Sequence, residues 1–251
     1  MEKAISSKKV VKNRRIVILV SILVMVLAAV TSLIIYNSKK SVANETVVTI
    51  NGEAVSTEEF RQVMSGLKAN VFSYFVQKYG AKDSEKFWTT SYNGEIPMVK
   101  LKEKTLDKLK NIKIEQILMK ENGIVKDISY AGFLKDFKDE NERRKKAVEN
   151  KEPIYGPTQY DEKSYYDILQ GNRIEVLKNK LSSKELFVSD SEIKKFYEEN
   201  KESLFKEAKT MEEAQPQIKE ELINKKFNDI VNKRISEAKV IVNDKTLGKI
   251  K

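Results

Sequence analysis

The run IVILVSILVMVLAAVTSLIIY, residues 16–36, is 21 residues long and carries no charge. At about 1.5 Å per helical residue it is long enough to cross a hydrocarbon core of roughly 30 Å, so it predicts one transmembrane helix. Residues 1–15 hold six basic side chains (Lys3, Lys8, Lys9, Lys12, Arg14, Arg15) against Glu2. The positive-inside rule therefore places this tail in the cytoplasm and the chain after Tyr36 outside it. A cleaved signal peptide is the competing reading, because Ser41-Val42-Ala43 offers small residues for cleavage. Secretory cores usually span about 7–15 residues, however, and this run is longer. The expected organisation is a cytoplasmic tail (1–15), a transmembrane helix (16–36), a linker (37–46) and an extracytoplasmic domain (47–251).

The anchor also explains the charge. The formal net charge is +10, of which the tail supplies +5 and Lys39 with Lys40 another +2, leaving +3 for residues 41–251. The basicity flanks an apolar segment rather than forming a polyanion-binding surface, so no nucleic-acid partner is expected. The chain has no cysteine and no histidine. Disulfides, thiolate metal sites, a lipidated cysteine anchor, Ser-His-Asp and Cys-His catalysis and nearly all zinc sites are thereby excluded. No Gly-rich phosphate loop, HExxH, GxSxG or EF-hand pattern is present, so neither a catalytic residue nor a cofactor is expected.

The remainder reads as mostly helical. VVTI (47–50) is a β-branched run ending at Asn51-Gly52, with Glu53 to Val55 available for a brief return strand. Ser56 and Glu59 have capping-box spacing, and Phe60, Val63, Met64, Leu67, Val71, Tyr74 and Phe75 recur at helical intervals up to a stop at Gly80. After a polar, aromatic-containing stretch (81–97), a second helix is expected from about Pro97 to Asn122, stopped by Gly123. A third is expected over 130–150, and KEPIYGPTQY (151–160) then breaks the chain with Pro153, Gly156 and Pro157. A fourth helix fits 161–181, weakened locally by Gly171. Ser189/Glu192 and Thr210/Glu213 give two more capping boxes, the first opening a helix with Ile193 to Phe205, the second a long helix that Pro216 restarts or kinks. KVIVND (239–244) is the only other clear strand candidate, so it is the expected partner of VVTI. Pairing them makes 56–238 a helical excursion from a small β closure, whose entropic cost grows only logarithmically with length.

TVVTINGEAVSTEEF resembles the opening of the N-terminal chaperone domain of SurA/PrsA-type extracytoplasmic foldases. VSDSEIKKFYEENKESLFK resembles the segment before their parvulin isomerase domain, and MEEAQPQIKEELINKKFNDIVNKRISEAKVIVND the long helix and closing strand after it. In that family the isomerase would sit between Phe205 and Met211, where only a few residues remain here, and its active site normally contains histidines. The resemblance therefore implies a mainly α SurA/PrsA-like chaperone domain, closed by a small antiparallel β ribbon, without its isomerase and carried on a transmembrane helix.

The expected function is that of a membrane-anchored, non-enzymatic holdase for unfolded or partly folded exported polypeptides. Such a protein needs an apolar surface with a charged rim. The candidate client contacts are Phe72, Tyr74, Phe75, Tyr79, Trp88, Tyr92, Tyr155, Tyr160, Tyr165 and Tyr166. Aromatics at helical spacing are more often core than contact, and the tyrosines around the Pro/Gly break are the better candidates because amphipathic rings suit interfaces. The charge runs 140–146 and 220–226 read as solvated helix faces. An envelope adaptor for one defined partner and a prolyl isomerase with an unrecognised active site are the alternatives.

Overall fold

The computed structural model describes residues 45–205 and 210–251. The segment 16–36, the tail before it and the first eight residues of the linker lie outside the described residues, as do 206–209 between Phe205 and Thr210. Among the described residues no helix is long and apolar enough to cross a membrane.

The described chain is mainly helical, with one small antiparallel sheet. Strand β1 (Thr46–Ile50) turns at Asn51-Gly52 into β2 (Glu53–Ser56), and both turn residues take positive φ, 49° and 86°. This is the left-handed geometry that a two-residue hairpin requires. The third strand, β3 (Val240–Val242), pairs with the other side of β1, giving the order β2-β1-β3. Its register places Val48 opposite Val242 and Ile50 opposite Val240. The expected partner of VVTI is therefore the observed one. Asn51 fastens the join twice: its N–H donates to the Lys239 carbonyl at 2.9 Å, and its Oδ1 accepts from the Lys239 N–H at 2.8 Å.

Between these ends run α1 (Thr57–Tyr79), α2 (Pro97–Glu121), α3 (Tyr130–Glu149), α4 (Glu162–Leu181), α5 (Asp190–Asn200) and α6 (Met211–Ser236). Their boundaries follow local chemistry. Gly80 at φ 63° closes α1, Pro97 occupies the first turn of α2, and Ser129, Asp161, Ser189 and Thr210 each cap a helix through a side-chain oxygen. Both reciprocal capping boxes expected downstream are present, at Ser189/Glu192 and Thr210/Glu213. Thr210 starts α6, which continues through Pro216, so the proline does not restart it. α4 likewise runs unbroken through Gly171. Helix α5 ends at Asn200, short of Leu204 and Phe205, which follow in a turn.

Two short elements escape the periodicity. A 3₁₀ turn (Phe87–Thr89) seats Phe87, 1% exposed, in the core, and α7 (Asp244–Gly248) follows β3 and lies against β1. Lys102 on α2 donates to the Leu247 carbonyl at 2.9 Å, and Ile250 is buried beside the strand's own Val47 and Val48. The main core joins β1, β2, α1 to α4 and the C-terminal half of α6. A second, smaller core of Val188, Ile193, Phe205, Ala214 and Ile218 holds α5 against the first half of α6.

Candidate functional site

The third helix changes character along its length. Tyr130 and Phe133 at its start are buried, and the following stretch is charged and exposed on most faces. Intrahelical pairs neutralise much of that charge, with Lys138–Glu142 at 3.8 Å and Lys145–Glu149 at 3.9 Å, each worth only a few tenths of a kcal/mol when exposed, about 0.3–0.5. Between these pairs, Phe137, Asn141 and Val148 line an open groove of ≈ 570 Å³. Thr158 and Gln159, from the Pro/Gly segment that follows α3, form its other wall. Val148 is 47% exposed although it is a large aliphatic residue in a helix.

That wall is held in place by Arg144. Arg144 is almost wholly buried, at 6% exposure, inside a run that reads as a solvated face. The reason lies in the loop: Nη1 donates to the carbonyls of Tyr155 (2.9 Å) and Pro157 (2.6 Å), and Nη2 to the Tyr160 hydroxyl (3.1 Å). Nε donates to Glu140 at 2.8 Å, and the guanidinium carbon lies 4.3 Å from the Tyr160 ring centre. Its neighbours Arg143 and Arg144 hold the Glu140 carboxyl below the usual carboxylate range. Asn141 adds a reciprocal pair with the Tyr160 backbone, accepting from its N–H at 2.9 Å and donating to its carbonyl at 3.1 Å. A segment with two prolines and a glycine, which forms no regular secondary structure, is thus given its shape by side chains of the preceding helix. Tyr155 within it is 92% exposed.

The ten aromatics singled out from the sequence divide into three sets. Phe72, Tyr74, Phe75, Tyr79, Trp88 and Tyr92, together with Phe87, form one cluster joining the second half of α1 to the 81–96 segment, with ring centres 4.9 Å apart for Phe72–Phe87 and 5.4 Å for Phe75–Tyr92. Phe75 is fully buried there and has no surface to give a client; the other five are half-buried and packed on the core. Tyr74 donates to Glu95 at 2.9 Å and Lys78 pairs with the same carboxylate at 2.9 Å, which holds Glu95 below its ordinary range. Tyr165 and Tyr166 pack against Phe133, and Tyr166 is buried at 6% exposure. Tyr155 and half-buried Tyr160 belong to the segment that supplies Thr158 and Gln159 to the groove, and neither is among its lining residues. Sequence reasoning missed Phe137 and Val148, which complete the apolar lining. Phe137 continues the helical spacing of Tyr130 and Phe133, but Val148 stands in a charged run that gives no such signal.

A second polar cluster is sealed inside the protein. The Glu59 carboxylate, 1% exposed, lies 3.0 Å from Lys113 Nζ, which also donates to the Ile128 carbonyl at 3.0 Å. Burial pushes the Glu59 carboxyl up and Lys113 opposes this. Its second oxygen and the side-chain oxygens of Gln62 and Gln116 are buried without a partner. The cluster ties α1, α2 and the turn before α3 together and is closed to a macromolecular ligand. Among the described residues no group of three or more acidic side chains is placed to hold a metal ion.

No protein-family model matches the chain, and no solved structure matches it. Among curated proteins it is 25% identical over 187 residues to a protein of Bifidobacterium longum subsp. longum described as "Chaperone for lacto-N-biosidase". The similarity covers 70% of this chain and 65% of that relative, just under two thirds of its length.

Proposed function

We propose that this protein is a membrane-anchored extracytoplasmic chaperone, a SurA/PrsA-like module without an isomerase domain, that holds exported polypeptides before they fold. The observation that carries the reading is an open, partly apolar groove, one wall of which comes from a segment that also exposes Tyr155 and is braced by hydrogen bonds from Arg144. A groove with self-paired charges at its edge suits many weak contacts with a chain of varied sequence. The chaperone role of a relative at 25% identity supports the same class of activity. Attachment through residues 16–36 rests on their length, lack of charge and basic flank.

The test is suppression of aggregation when several unrelated proteins are diluted from denaturant in the presence of the full chain. Protection of most of them at near-equimolar ratio is expected. No protection of any, beside a single tight partner, would replace the holdase with a dedicated chaperone. That second reading is favoured by one specific observation, the relative's description as a chaperone for one named enzyme. Turnover in a prolyl-peptide isomerisation assay would overturn the non-enzymatic part. Release from membranes of a fragment beginning near residue 44 would remove the anchor.

A further inference from the structure

The geometry points to Arg144 as the positioning residue of the client site, a role that rests on the groove being where a client binds. The segment 151–160 has no helix or strand of its own to fix it, and Pro153 and Pro157 cannot donate backbone hydrogen bonds. Its shape therefore depends on what accepts from or donates to its carbonyls and N–H groups. Arg144 supplies donors to two of those carbonyls and to a side chain, at Tyr155, Pro157 and Tyr160, from one planar, buried fork. The carbonyl it holds at 2.9 Å belongs to Tyr155, so the backbone of the exposed tyrosine is fixed while its ring is left in solvent. A ring presented from an ordered backbone loses less conformational entropy on binding than one on a loose loop, which is the advantage of preorganisation. Lysine cannot replace the fork, because one ammonium on a flexible stem does not bridge two carbonyls and a hydroxyl in fixed directions.

The experiment is a double-mutant cycle on the full chain in lipid nanodiscs, with fluorescently labelled reduced and carboxymethylated α-lactalbumin as a permanently unfolded probe. Tyr155→Ala is expected to weaken binding about tenfold, in the range of an exposed aromatic anchor. Arg144→Met is expected to weaken it to a similar extent, to raise amide exchange across 153–160, and to leave exchange in α1 and α2 unchanged. Because Arg144 acts through Tyr155, the double variant should bind within about twofold of Tyr155→Ala alone. If Arg144→Met does not fold, Arg144→Lys, which keeps a cation beside Glu140, carries the same expectation. Wild-type binding by the Arg144 variant beside a weakened Tyr155→Ala would overturn the positioning role and leave the site standing, as would a fully additive double variant. If neither Tyr155→Ala nor Val148→Glu alters binding, the groove is not the client site and the positioning role falls with it.

Discussion

Glu59 stands three residues after the Ser56 cap, where a carboxylate commonly turns back to its own helix N-terminus. Ser56 does accept from the Glu59 N–H at 3.1 Å, but the carboxylate turns inward to Lys113, so only half of the box forms. A buried lysine without a counter-charge would cost several kcal/mol even with the Ile128 carbonyl as an acceptor, far more than the roughly 1 kcal/mol of a cap, and that difference decides which partner the carboxylate takes. Lys113→Met, which strands the carboxylate, is expected to lower unfolding stability by about 3–5 kcal/mol in urea titration. Glu59→Leu combined with Lys113→Met should recover most of that loss, since replacing both charges by apolar groups is often neutral. Recovery of none of it would mean that the pair stabilises by more than mutual compensation. The sequence carries the cap signal at Ser56 but not this inward turn, because Lys113 is brought alongside only by the packing of α2 on α1. The same limit hid Arg144: its partners are carbonyls, which any residue has, so no residue type marks them.

At the scale of elements, helix boundaries were legible wherever a cap or a stop is local chemistry, as at Ser189, Thr210, Gly80 and Gly123. They were not legible for the 3₁₀ turn at Phe87 or for α7, which are too short to be stable alone and exist by packing on the main core. Gly171 shows the reverse case, a locally unfavourable residue carried by its helix. A Cβ there would meet nothing within 4 Å, and its backbone is right-handed. Gly171→Ala should therefore raise stability by about 0.5–1 kcal/mol, read as a higher melting temperature. The capping box of α5 gives a pH-dependent test. Glu192 accepts from the Ser189 N–H and pairs with Lys226 on α6 at 2.8 Å, and these contacts hold its carboxyl down at about 2. A carboxyl depressed in the folded state stabilises above its unfolded value, near 4.5, and that contribution fades as pH falls towards about 2. The melting difference between wild type and Glu192→Gln should be present at about pH 6 and vanish by about pH 2, and a difference independent of pH would remove the charge from the explanation.

For the whole molecule, the deciding contact is the one that joins β1 to β3 across nearly two hundred residues of sequence. Three residues of strand are too few to hold such a closure by themselves, and the sheet depends on its central strand β1, whose adjacent residues Val47 and Val48 are buried on opposite faces. Val48 and Ile50 are buried in the main core, as are Val47 and Ile250, while α7 lies against β1. The pairing could be inferred from the sequence because the chain offers only two clear β-branched runs, and a strand must be matched. How it is locked could not, since the lock is the side chain of a turn residue. Asn51 serves the hairpin through its positive φ and the distant strand through Oδ1, and the two roles separate under substitution. Glycine tolerates φ 49° without strain, so Asn51→Gly keeps the hairpin and removes only the bond to the Lys239 N–H. That bond is exposed, so the freed N–H is solvated and the loss is expected to be about 0.5–1.5 kcal/mol rather than a full desolvation penalty. Asn51→Val removes the bond and also forces a β-branched residue into the left-handed region, adding about 1–2 kcal/mol of strain. Denaturation should therefore rank the three proteins wild type, Asn51→Gly, Asn51→Val, and amide exchange in Asn51→Gly should rise at 239–243 with α2 unaffected. Equal stability of wild type and Asn51→Gly would show that backbone pairing and the packing of α7 suffice to close the domain.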